Sequence, residues 1–172
     1  MTDDLPLSDS SAQQFIYIVG SELAERGAWI KVTLRPHPDQ IAALEKGTNP
    51  LPKAGLTLPA LIDTGAGLTC IQDRIATDLG FRQVGRVSLS GVHDQDTCAV
   101  YLVDIQLGPW RQSWKVVGLR SRQSSPMPCI LGRDILQFFT LFYVGPESSF
   151  GLFQGVPPFV KGLIKKSQVL TS

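Results

Sequence analysis

A chain of 172 residues is long enough for one domain with a substantial core and too short for two comfortable ones. Hydrophobic residues make up 43% and charged residues 18%, ordinary values for a soluble globular chain, which confine any disorder to the ends. The formal net charge of +1 leaves no electrostatic footprint for nucleic acid, and no apolar run reaches the roughly 18 residues of a membrane span, so neither partner is expected.

The first 14 residues are acidic and polar, without the basic start and apolar stretch of a signal peptide, and are expected to be flexible. A cytoplasmic location follows as the expectation. The 16 glycines and 12 prolines favour a turn-rich, all-β fold with one or two short helices. Cys70, Cys98 and Cys129 are odd in number and lack C-x-x-C spacing, so they read as reduced core residues, with no disulfide framework and no zinc site. His37, between two prolines, and His93, in a polar stretch, read as loop residues and not as metal ligands. No cofactor is expected. Lys161, Lys165 and Lys166 make the C-terminal tail, residues 157–172, a basic solvated end.

In chain order, Ala28 to Leu34 alternates as a strand that Pro36 and Pro38 stop, and Asp39 caps a short helix over Gln40 to Lys46. Residues 35–58 read as an insertion between two strands. Leu58 to Ile62 is a strand leading into Asp63-Thr64-Gly65-Ala66-Gly67, after which Leu68 to Ile71 resumes the apolar pattern. Asp73 is expected to cap a helix with Ile75, Ala76 and Leu79 on one face and Gly80 as its stop. Val87 to Leu107 is a long hairpin with a polar tip from Ser90 to Thr97, and Trp114 to Leu119 is another strand. Cys129 to Gly132 is a short apolar strand, Arg133 and Asp134 open a helix whose Ile135, Phe138 and Phe139 share a face, and Leu141 to Val144 and Phe150 to Phe153 close the fold.

Asp63-Thr64-Gly65 carries the chemistry. Read alone, it is an Asp-containing turn, since Asp and Gly are common turn residues whose side chains and backbones bond locally. Its context is different, because an ionised aspartate after the apolar Ala60-Leu61-Ile62 needs compensation for its desolvation. A second apolar-apolar-Gly unit, Ile130-Leu131-Gly132, recurs beyond the long hairpin.

With Leu61-Ile62-Asp63-Thr64-Gly65-Ala66, the hairpin around Gly91, and Ile130-Leu131-Gly132-Arg133-Asp134 before a short helix, the sequence resembles the retropepsin-like aspartic proteases. The matching pieces span roughly Ala28 to Phe153. The resemblance implies an acid protease fold, a closed β-barrel or half-sandwich over residues 15–156, and no metal. It implies that Asp63 is the catalytic carboxylate and that Thr64 bonds across a dimer axis. Gly65 would admit the substrate backbone, Ala66 would line the cleft, and Gly91, Val92 and His93 would form the tip of a flap. Ile130, Leu131, Gly132 and Arg133 would support the catalytic loop from beneath. Retroviral members often place an acidic residue two positions after the Gly, in contact with the Arg; here that position is Gly67, which leaves Arg133 without its expected partner. The insertion at 35–58 and the charged tip His93-Asp94-Gln95-Asp96 are further departures.

One chain offers one Asp-Thr-Gly, whereas hydrolysis by carboxylates needs one group to take a proton and another to give one. A homodimer with a twofold axis through the site, acting on a peptide or protein substrate, is the economical solution. The competing readings are a non-catalytic dimerising or peptide-binding module on the same fold, and a processing domain released from a larger precursor. Phe15 to Val19 and Val156 to Leu170 are the candidate interface segments.

Overall fold

The architecture is that of a computed structural model, which describes residues 15–19, 23–44, 55–90, 95–120 and 127–162. Ten strands and four short helices appear among them: β1 (Phe15–Val19), α1 (Leu23–Arg26), β2 (Trp29–Pro36), α2 (Pro38–Leu44), β3 (Leu56–Ile62), β4 (Cys70–Gln72), α3 (Asp73–Asp78), β5 (Arg82–Ser90), β6 (Gln95–Leu107), β7 (Trp110–Leu119), β8 (Cys129–Leu131), α4 (Arg133–Leu136), β9 (Phe139–Val144) and β10 (Ser149–Gln154). The all-β expectation holds.

Seven strands form one sheet in the order β2-β3-β8-β4-β7-β6-β5, and an added pairing of β2 with β6 closes the first six into a barrel. Closure removes two open edges. The strand left over, β5, hangs on β6 as the outer arm of the long hairpin, in register from Arg82↔Leu102 to Ser90↔Gln95 with an irregularity between Gln83 and Gly85. Alternation explains why β2 faces the core on one side only: Ile30, Val32 and Leu34 are buried and Lys31 is exposed. The same period on β6 sends Tyr101, Val103, Ile105 and Leu107 inward.

A second sheet of order β1-β10-β9 lies against the barrel, and its Phe150 and Leu152 enter the same core as Ile71, Ile105 and Leu131. Aromatic contacts join the start of β9 to β7: Trp110 packs on Phe139 with ring centroids 5.3 Å apart, and Trp114 packs edge-on against Phe138 at 5.5 Å.

Several boundaries differ from the sequence expectation. Pro36 does not stop β2 but ends it as a paired residue opposite Val103, and Pro38 is the first residue of α2. Proline suits both places, a strand end and a first helical turn. Asp73 is the first residue of α3 rather than its cap; the cap position is Gln72, and the Asp73 carboxylate instead accepts the Tyr101 hydroxyl at 2.8 Å. Gly80, at φ 62°, does end that helix. β7 begins at Trp110, four residues before the expected start, because Gly108 at φ 53° followed by Pro109 makes a tight two-residue turn. Phe138 lies in the turn after α4 and Phe139 starts β9, so both meet the tryptophans of β7 instead of sharing a helix face with Ile135.

Of residues 35–58, expected as an insertion, 35 and 36 belong to β2 and 56–58 to β3, and the stretch between is described over 37–44 and at 55. Its α2 is tied to the body by Gln40, whose Oε1 accepts the Arg82 N–H at 3.0 Å and whose Nε2 donates to the Gly80 carbonyl. Of the expected interface segments, Phe15–Val19 is an edge strand paired with β10. Residues 156–162 contain a helical turn and no strand, and 163–170 lie outside the described residues, as do 1–14.

Candidate active site

The loop bearing Asp63 is held by the barrel before its own side chains contribute. β3 runs parallel to β8, with Leu61 opposite Ile130 and Ile62 opposite Leu131, and the Asp63 N–H extends that ladder to the Leu131 carbonyl at 3.1 Å. The chain then turns. The Ala66 N–H returns to the Asp63 carbonyl at 3.2 Å, and Asp63 Oδ1 accepts the N–H groups of Gly65 at 2.8 Å and Ala66 at 3.2 Å. These bonds supply the compensation that a half-buried carboxylate after an apolar strand requires. Oδ1 is thus committed to its own loop, and Oδ2 has no hydrogen-bond partner among the described residues. Gly65 has a local reason as well: a Cβ there would lie 3.0 Å from Asp63 Oδ1 and crowd the carboxylate.

A second brace comes from Gly132 and Arg133. The Arg133 N–H donates to the Ala66 carbonyl at 2.9 Å, and its Nη1 donates to the carbonyls of Thr64 at 2.8 Å and Gly65 at 3.1 Å. The arginine therefore ties the tip of the loop by backbone oxygens and not through a carboxylate. Gly132 sits so close to the chain beyond the loop that a Cβ would fall 2.5 Å from the Leu68 carbonyl carbon and 2.9 Å from the Thr69 nitrogen. Only glycine permits that approach.

Beneath the loop lies a network that sequence reasoning missed. Thr69, wholly buried, accepts the Gly132 N–H at 3.1 Å and donates to Asp134 Oδ1 at 2.7 Å. The same oxygen accepts the Ile135 N–H at 2.9 Å, and Asp134 Oδ2 accepts the Trp114 indole N–H at 3.0 Å. The available signal was Thr69 itself, a polar residue inside the apolar run Leu68 to Ile71, which must find a partner if buried.

The structure brings Asp63, Thr64, Gly65, Ala66, Ile130, Leu131, Gly132 and Arg133 together in one loop assembly. Gly91, Val92 and His93 lie outside the described residues. The arms of their hairpin are described, however: Val87, Leu89 and Cys98 pack with Cys70, Val117, Leu119 and Ile130 in an apolar cluster separate from the main core. That cluster links the hairpin to the strands that carry the loop. All three cysteines are buried. Burial, with the charges of Asp134, Cys98 and Asp63 adding to it, pushes the Cys70 thiol up to about 12, and burial, then Cys70, does the same for Cys129. Neither is a nucleophile near neutral pH. No group of three or more His, Cys, Asp or Glu side chains among the described residues could hold a metal ion, and no helix among them is long and apolar enough to cross a membrane.

Comparison with known proteins agrees with this assembly. Residues 53–135, which contain the Asp63 loop, the hairpin and Arg133, match the model of a family described as aspartyl protease. That match falls on the residues that carry the resemblance to the retropepsin-like aspartic proteases. Three solved structures are similar. The EIAV protease in complex with an inhibitor is 19% identical, with a TM-score of 0.46, 66% of this chain covered and 88% of that one. For the simian foamy virus (mac) protease the values are 14%, 0.43, 64% and 93%. For a retropepsin-like aspartic protease from Rickettsia conorii they are 14%, 0.48, 86% and 96%. A search of the curated proteins finds no match.

Proposed function

We propose that the chain is an aspartic endopeptidase that works as a homodimer, with Asp63 of each copy contributing half of the catalytic pair. The observation that carries the reading is the Asp63 carboxylate itself: one oxygen is fixed by two loop N–H groups, and the other has no partner among the described residues, on a braced, half-buried turn. A carboxylate oriented in this way is prepared to act on something outside its own chain.

Two such groups meeting on a twofold axis cannot both ionise, so they hold one proton between them and titrate as a pair, as aspartic dyads do generally. The ionised member takes a proton from a water lying between the two as the water oxygen bonds to the scissile carbonyl carbon, and the neutral member gives its proton to the carbonyl oxygen as the C=O π bond opens. The resulting diol collapses as a proton passes to the amide nitrogen and the C–N bond breaks, leaving a carboxylic acid and an amine. Thr64, exposed beside Asp63, bonds to its counterpart across the axis. Gly65 and Ala66 border the peptide, and the β5–β6 hairpin closes over it with Gly91, Val92 and His93 at the tip.

An unusual edge strand supports self-association. β9 reads Phe-Thr-Leu-Phe-Tyr-Val, pairs with β10 alone among the described strands, and exposes Tyr143 and Val144. Long apolar edges without charge or proline are ones that proteins normally cover.

The test is binding of a peptide in which a hydroxyl-bearing tetrahedral carbon replaces the scissile amide. The dimeric protease should prefer it over the parent peptide by at least about 100-fold, and Asp63→Asn should lose that preference. Equal binding of the two would overturn the reading in favour of a peptide-binding scaffold.

A further inference from the structure

We infer that the Arg133 guanidinium is a carboxylate-binding site in the cleft, and that the protein therefore favours substrates presenting an acidic group to it. The inference rests on the proposed function insofar as it takes the Asp63 loop as a wall of the peptide site.

Three observations converge on it. Arg133 is exposed, and among the described residues only its Nη1 is engaged, by the carbonyls of Thr64 and Gly65. Its remaining donors meet no carboxylate in a hydrogen bond or ion pair among the described residues. The neighbouring Asp134 is saturated by Thr69, Ile135 and Trp114. A guanidinium offers five donors in a fixed plane that matches the two oxygens of a carboxylate.

Gly67 supplies the room. A Cβ built there would meet only Arg133 Nη2, at 3.8 Å, and nothing else within 4 Å. Its backbone is not in the positive-φ region either, so neither space nor conformation demands glycine. An acidic side chain at 67 would lie within reach of Nη2 and neutralise it from within the chain. With glycine there, the cation and the space beside it stay open, next to Ala66 in the chain and four residues from Asp63. A carboxylate arriving on a bound peptide completes the site, whether from an internal Asp or Glu or from a free C-terminus.

The experiment uses the full chain carrying Asp63→Asn, so that peptides bind without turnover. The probe is a positional-scanning octapeptide library in which one position at a time holds Glu or Gln, made once with amidated and once with free C-termini. At one position Glu should bind about tenfold more tightly than Gln at low salt; a gain confined to the free-acid set would assign the site to a chain terminus. Gly67→Asp should abolish the preference by filling the site in cis, Arg133→Gln should abolish it, and Arg133→Lys should retain part of it. Glu and Gln bound equally at every position, or not at all, would overturn the inference, as would a preference that survives both Gly67→Asp and Arg133→Gln. Digestion of the same library by the parent chain is a separate arm: failure to cleave any peptide sinks the protease reading while leaving the binding result to judge Arg133.

Discussion

Asp63 and Asp134 lie on either side of the same loop assembly, and their surroundings are opposite. Asp134 has both oxygens filled, by the Thr69 hydroxyl and Ile135 N–H on one and the Trp114 indole on the other. Asp63 has one oxygen filled by its own turn and one without a partner among the described residues. A carboxylate with every acceptor used holds parts of a protein together, whereas one with spare capacity is available for chemistry. The contrast teaches that acidity or burial alone does not single out Asp63 as the candidate; unspent hydrogen-bonding capacity on a rigid support does.

The comparison breaks most sharply if the two residues are exchanged in role. Asp63→Asn keeps an oxygen for the Gly65 and Ala66 N–H groups, so it should lower peptide cleavage by at least about 10³-fold while moving the melting temperature by less than about 3 °C. Asp134→Ala should do the reverse in kind. It leaves a buried hydroxyl and an indole N–H without their acceptor, and denaturant unfolding should report a loss of about 3 kcal/mol. A stable Asp134→Ala variant would remove the distinction between the two sites. Gly132→Ala tests the brace from the other side: a methyl 2.5 Å from the Leu68 carbonyl carbon must push backbone apart, at a cost of about 2 kcal/mol by the same unfolding measurement.

Smaller effects sharpen the picture away from the loop. Tyr101→Phe removes the hydroxyl that Asp73 accepts at 2.8 Å and should cost about 1 kcal/mol. The pair is built in tightly, since a Cβ at Gly118 would strike Asp73 Oδ1 at 2.5 Å and the Tyr101 ring at 2.7 Å. Burial, then the bond to Asp73, pushes the Tyr101 hydroxyl up to about 12. The buried thiols should have no effect at neutral pH. Their folded values of about 12 lie above the ordinary 9.0, so the unfolded chain releases protons first, and stability is fully present below about pH 9 and falls as pH rises toward 12. Urea midpoints across that range, with slow alkylation of the native chain at pH 8, check this.

Much of the site was legible because it is local. Asp63, Thr64 and Gly65 are contiguous, and their apolar flanks mark a strand on each side. Ile130-Leu131-Gly132 stands out as an apolar unit ending in glycine, and the parallel pairing of Ile62 with Leu131 is what such a unit permits. The Thr69–Asp134–Trp114 network was not legible, because its members are separated by 65 and 20 residues and meet only once the barrel has closed. Phe138 and Phe139 misled for a different reason: a short apolar run fits both helix and strand periods, and packing against Trp110 and Trp114 decided between them. The partner of Arg133 could not be read at all, since it consists of backbone carbonyls, which every sequence has.

The most direct measurement is a mixing experiment. Parent chain and Asp63→Asn chain are combined in varying proportion at constant total concentration, equilibrated so that subunits exchange, and assayed on one peptide. If each site needs an aspartate from both copies, activity falls as the square of the parent fraction. A linear fall would mean that a single chain carries out the reaction with its own Asp63, and the symmetric mechanism would be wrong.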